Sequence, residues 1–89
     1  MGMRFRDDRV SREGRFSIGT DLRTGDPYLS IPVGNMLVDY DEYYRLTRDE
    51  NRSFVTDIAK ATAFAEECRQ RWRDDRLILP PDRDRGEPH

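Results

Sequence analysis

Apolar and polar residues alternate along three stretches in the first half of the chain. In "RFSIGTD", residues 15–21, Phe16 and Ile18 fall on one side, and in "YLSIPV", residues 28–33, Leu29, Ile31 and Val33 do. The third stretch is "LVDYDEYYRL", residues 37–46, with three tyrosines and three carboxylates in ten positions. A period of two marks a half-buried strand, because successive side chains point to opposite faces of a sheet. "RTGDP", residues 23–27, reads as a turn from its composition. Gly34-Asn35, set between Val33 and Met36, reads as a two-residue hairpin turn.

That turn implies a register. Residues equidistant from a two-residue loop lie opposite each other on one face. Val33 then faces Met36, Ile31 faces Val38 and Leu29 faces Tyr40, all apolar or aromatic. The other face carries Pro32 with Leu37, Ser30 with Asp39 and Tyr28 with Asp41. One face is core and the other is wet, as an antiparallel sheet covered on one side requires.

The period changes after residue 46. "TRDE", residues 47–50, has the form of a capping box, with Thr47 as N-cap and Glu50 at N3. Phe54, Ile58, Ala61, Ala65, Cys68 and Trp72 then recur at helical spacing. On this stripe Cys68 is a small buried hydrophobe, and Trp72 closes the core at the end of the helix. A continuous helix over residues 48–76 would be roughly 43 Å long, more than the diameter of about 30 Å of a compact domain this small. The sequence therefore predicts a break near residues 52–57, with a short helix followed by a long one. The fold class is α+β, a three-stranded antiparallel meander with one or two helices packed on one face (βββαα). Residues 1–14 are expected to be a flexible N-terminal arm in which Phe5–Val10 could add a strand. Residues 15–79 form a single domain, and residues 80–89, rich in proline and charge, form a disordered tail.

Charge sharpens this picture. Residues 1–15 carry a net +2, residues 16–47 a net −3, residues 48–79 a net 0 and residues 80–89 a net −1. Nucleic-acid binders usually present a basic face, whereas here the sheet region is acidic, which points either to a basic partner or to nothing beyond an ordinary solvated surface. Cys68 is the only cysteine and His89 the only histidine. That leaves no zinc set, no Cys–His or Ser–His arrangement and no disulfide within the chain. The glycines are scattered, without a phosphate loop. No catalytic, cofactor-binding or metal-binding residue is nominated, and no cofactor. With no signal peptide, lipidation motif or membrane span in view, a cytoplasmic protein without nucleic-acid or membrane partners is expected.

The third strand stretch supplies the candidate site. On the register above, Tyr40 and Tyr44 point into the core, while Tyr28 and Tyr43 share the outer face with Asp39 and Asp41. Glu42 falls with the inward set near the strand end and is counted with the acids, its long side chain being expected to reach solvent. Rings ringed by carboxylates suit protein recognition, the rings giving contact area and the acids steering a basic partner. If the N-terminal arm folds over this face, the same residues become internal.

Residues 16–46, "FSIGTDLRTGDPYLSIPVGNMLVDYDEYYRL", resemble a small uncharacterised bacterial family with a YLSIPV…VDYDEYY core. Tyr43-Tyr44 beside Asp39, Asp41 and Glu42 is similar in surface composition to the toxin-binding face of the nuclease-colicin immunity proteins. That resemblance implies occlusion of a basic nuclease by acids and tyrosines. The βββα(α) outline is also similar to that of the MbtH-like helpers of peptide synthetases. The expectation is a small non-catalytic protein-binding module, most concretely an immunity protein or inhibitor contacting its partner through Tyr28, Asp39, Asp41, Glu42 and Tyr43. The alternative is a structural or regulatory subunit that homo-oligomerises through its helix or sheet edge.

Overall fold

The computed structural model describes residues 3–35, 38–81 and 85–88. Strands β1 (Phe5–Ser11), β2 (Phe16–Asp21), β3 (Pro27–Gly34) and β4 (Asp39–Arg45) are followed by helices α1 (Arg48–Thr56) and α2 (Ile58–Arg69). A 3-10 turn at Asp74–Arg76 and a two-residue strand β5 (Glu87–Pro88) complete the order. The sheet runs β1-β2-β3-β4, each neighbour antiparallel. β2 pairs with β3 over residues 27–30 and β5 pairs with residues 33 and 34, so β5 continues the edge that β2 leaves uncovered. The α+β architecture is as expected, with a wider sheet. Residues assigned to a flexible arm form β1, and Glu87 and Pro88, assigned to a disordered tail, pair with β3.

One face of the sheet is the core. Phe16, Ile18, Leu29, Ile31, Val33 and Tyr44 meet Leu46, Phe54, Ala61, Phe64, Ala65 and Cys68 there. Each large side chain so buried stabilises the fold by about 1.5–3 kcal/mol. The helices form where the sequence places them. The Thr47 hydroxyl accepts from the Glu50 amide at 3.1 Å, and the Glu50 carboxylate accepts from the Thr47 amide at 2.8 Å. The expected break falls at Asp57, whose extended backbone (φ −134°, ψ 94°) stops α1. Its carboxylate accepts from the Ala59 and Lys60 amides at 3.1 and 3.4 Å and so starts α2.

Trp72 does not close the core; it is 70% exposed. The reason lies in how α2 ends. The Arg71 amide donates to the Cys68 carbonyl and the Trp72 amide to the Glu67 carbonyl, while Arg71 adopts φ +64°. This is the Schellman arrangement, which reverses the chain and turns the next residue off the helical stripe. Ile58, at the first position of α2, is also exposed; the apolar stripe begins in earnest at Ala61.

The register of the central hairpin also differs from expectation. Val33 pairs with Tyr40, Ile31 with Glu42 and Leu29 with Tyr44, a slip of four residues along β4. Pro32 correspondingly pairs with Asp41, Ser30 with Tyr43 and Tyr28 with Arg45. The Asn35 amide donates to the Val38 carbonyl at 3.0 Å and the Val38 amide to the Asn35 side-chain oxygen at 2.9 Å, which moves the reversal past Asn35. Met36 and Leu37 lie outside the described residues. An even slip returns every side chain to its own face, so the division into inner and outer sets survives while the partners change.

Candidate functional site

The sheet face opposite the helices is strongly curled. Asp8 is an extra residue in β1, where the pairing jumps from Asp7–Gly19 to Arg9–Ile18. A bulge of this kind bends a strand and sharpens its twist. The curl carries Phe5 of β1 across to Tyr43 of β4, although these strands stand at opposite ends of the order. Their rings stack with centroids 3.8 Å apart at an interplanar angle of 10°. Tyr28 meets both rings edge-on, at 5.5 Å from Phe5 and 5.0 Å from Tyr43. Gly19 makes the room: a Cβ there would run into the Arg6 carbonyl and the end of the Tyr28 ring.

The five residues nominated from sequence therefore divide. Tyr28 is fully buried and donates its hydroxyl to Asp7 Oδ1 at 2.6 Å, so it supports the site from below instead of meeting a partner. Glu42 does not reach solvent. It is buried on the helix-facing side, where it accepts from Tyr44 and Arg85. Asp39 and Asp41 are exposed and Tyr43 is half-buried; these three remain together on the curled face.

The Arg4 guanidinium stands 5.0 Å over the Phe5 ring, and Arg12 and Arg15 line a hollow with Asp41, yet the shifts at Asp41 and Tyr43 are set by burial and by neighbouring carboxylates. Loss of surrounding water, followed by the charge of Asp7, raises the Asp41 carboxyl above its ordinary value. Tyr43 is pushed up to about 12 by burial and then by Asp41 and Asp7. Burial and its bond to Asp7 raise Tyr28 as well. Asp7 was not nominated from the sequence. Its signal, the alternation of Phe5 with Asp7, becomes readable only once β1 is known to be a strand.

Beside this face runs a cleft of about 370 Å³, lined by residues 38 and 40–43 of the β4 segment and by Leu79-Pro80-Pro81. β4 is the last strand of the sheet. Its outer edge is met at one end by the following chain, where the Ile78 amide donates to the Tyr43 carbonyl at 2.9 Å and Leu77 bridges to Tyr44.

Cys68 is buried as expected, and loss of water raises its thiol far above the range in which a thiolate forms. Among the described residues, no group of three or more His, Cys, Asp or Glu side chains could hold a metal ion. No helix of the described residues is long and apolar enough to cross a membrane. Comparison with family models, with curated proteins and with solved structures finds no match to this chain.

Proposed function

We propose that this chain is a small non-catalytic binding module that occludes a basic surface on another protein, the role of an immunity protein or inhibitor. Asp39, Asp41 and Tyr43 form the contact, and the neighbouring cleft seats a partner side chain. One observation carries this reading. Asp41 and Asp7 face each other with no basic side chain within ion-pair distance among the described residues, while arginines elsewhere bridge Asp8, Asp21, Glu42, Asp49, Glu50, Glu66, Glu67, Asp74 and Glu87. Glu13, Asp26, Asp57 and Asp75 also stand outside those bridges, but Asp7 and Asp41 are the unbridged acids that act on Tyr43 of the Phe5–Tyr43 stack. A partner's cations would relieve that repulsion and steer association.

The test begins with capture of partners from a lysate of the source cells on immobilised parent chain. A basic protein so identified is then purified and its binding kinetics measured at two ionic strengths. Asp41→Arg should abolish binding, and Tyr43→Ala should speed dissociation by roughly 30-fold, as loss of a 2 kcal/mol anchor does. Parent-like binding by both variants, each shown to be folded, would remove this face from the interface. Recovery of copies of the same chain alone would favour the homo-oligomeric alternative.

A further inference from the structure

On the other side of β4 a polar pocket is filled by the chain's own Arg85. Arg85 enters a pocket built by Glu42, Tyr44 and Asp74. Its Nε donates to Glu42 Oε2 at 2.8 Å and Nη2 to Glu42 Oε1 at 3.0 Å. On its other side, Nη1 and Nη2 donate to the two Asp74 oxygens at 2.7 and 2.8 Å. The Tyr44 hydroxyl fixes Glu42 by donating to Oε1 at 2.9 Å. The Glu42 side chain is only 5% exposed, so the pocket holds a carboxylate that demands a cation. Two carboxylates that together accept four bonds from one planar fork read guanidinium; an ammonium could not meet all four oxygens.

The next residue is read just as closely. The Gly86 amide donates to the Tyr40 hydroxyl at 2.8 Å, and its carbonyl accepts from Arg71 Nη2 at 3.2 Å. A Cβ on Gly86 would fall on the Gly34 carbonyl group, so glycine alone fits. Glu87 and Pro88 then add a short strand to residues 34 and 33 of β3. The occupant contributes no large apolar side chain: Glu87 is exposed and Pro88 half-buried. Every feature that holds it is a polar, sequence-reading one, which is how an extended peptide is recognised by strand addition.

We infer that the pocket formed by Glu42, Asp74, Tyr44, Tyr40 and Gly34 is a receptor for an Arg-Gly segment in extended form, presented by a partner protein and held shut in the free chain by its own Arg85-Gly86. The pocket shares Tyr40 and Glu42 with the cleft beside the Asp41–Tyr43 face, but its contacts to Arg85-Gly86 use neither Asp41 nor Tyr43, so either reading can fail without the other. The tethered segment competes at high effective concentration, and a partner must carry the same dipeptide to displace it.

The probe is the acetylated, amidated tetrapeptide Arg-Gly-Glu-Pro, titrated by calorimetry into the full chain and into Arg85→Ala. The variant, its guanidinium position emptied and the rest of the segment left with only the contacts of Gly86–Pro88, should bind at least about 100-fold more tightly than the parent. Its melting temperature should rise with peptide. Peptides with Lys for Arg, or Ala for Gly, should bind the variant at least about 10-fold more weakly. Where Arg85→Ala does not fold, Gly86→Ala serves instead: the collision with Gly34 lifts the native segment, and the peptide should again bind more tightly than to the parent. A folded variant that ignores the peptide at millimolar concentration overturns the inference. So does equal binding of the Lys or Ala peptides.

Discussion

Asp41→Asn should make the free protein more stable. In most proteins removal of a surface carboxylate is neutral, but here the carboxyl is held above its ordinary value by loss of water and by Asp7. A raised value in the folded state means the ionised form is disfavoured by folding. The penalty is absent while the group is protonated, below about 3.8, and grows as pH rises through the folded value. Asp41 is solvent-exposed, so the charge term belongs near the water limit, at most about 1 kcal/mol for close charges. We expect a gain of about 0.5 kcal/mol at pH 7, or a melting temperature higher by roughly 2–4 °C. Urea melts at pH 7 and pH 3, each at low and 1 M salt, check this. The gain should vanish at pH 3, and it should shrink at 1 M salt, where the screening length is about 3 Å. Asp7→Asn is the control with the opposite sign, because it weakens the charged acceptor of the Tyr28 hydroxyl. If Asp41→Asn is less stable than the parent, or gains equally at every pH and salt, the face is not under electrostatic stress and the argument for a basic partner goes with it.

Gly19→Ala should cost about 1–3 kcal/mol in a urea melt, since the added methyl overlaps Tyr28 and the Arg6 carbonyl; a parent-like midpoint would mean the aromatic stack is not seated as described. Stability should drain at both ends of the pH scale. Asp21, Glu50 and Asp74 are held low chiefly by hydrogen bonds from Arg4, Arg76 and Arg85, so their contribution is full above the ordinary carboxylate range and is lost as pH falls through their lowered values. Tyr43, raised from 10.0 to about 12, makes folding weaken as pH climbs between those values, which absorbance at the tyrosinate band and circular dichroism would register together. Trp72→Ala should change stability by no more than about 0.5 kcal/mol, and the indole should emit like one in water in both folded and unfolded chains; a blue-shifted emission would place it in the core.

What could be read from the alternation was the side of the sheet on which each residue lies. Tyr44 is in the core and Tyr43 is not, and that holds although their strand partners differ from those expected. A slip of four residues leaves a period-two pattern unchanged, so no count of apolar positions could detect it. The capping box was readable because it rests on contacts within three residues, and the break because an unbroken helix over residues 48–76 would outrun so small a domain; that Asp57 makes it, through bonds to the Ala59 and Lys60 amides, was not read. Two of the failures, β1 and the Arg85 segment, rest instead on contacts far apart in sequence. β1 holds one large apolar residue that faces the sheet, Phe5, and is otherwise tied by charge, through Arg4 to Asp21 and through Arg6 and Asp8 to Thr20. Arg85 finds Glu42 across 43 positions, with nothing nearby to announce it. At Arg71 the left-handed turn that ejects Trp72 is made without the glycine that would have signalled it.

The dominance of arginine over lysine, fifteen to one, bears on how the chain should be handled at the bench. Guanidinium chloride floods solution with the very head group that Arg4, Arg76 and Arg85 present to Asp21, Glu50, Glu42 and Asp74. Urea has no such identity with the internal ligands. The two denaturants should disagree on the stability of this protein by more than their usual difference in potency. Guanidinium would act on it as a competitor before it acts as a solvent.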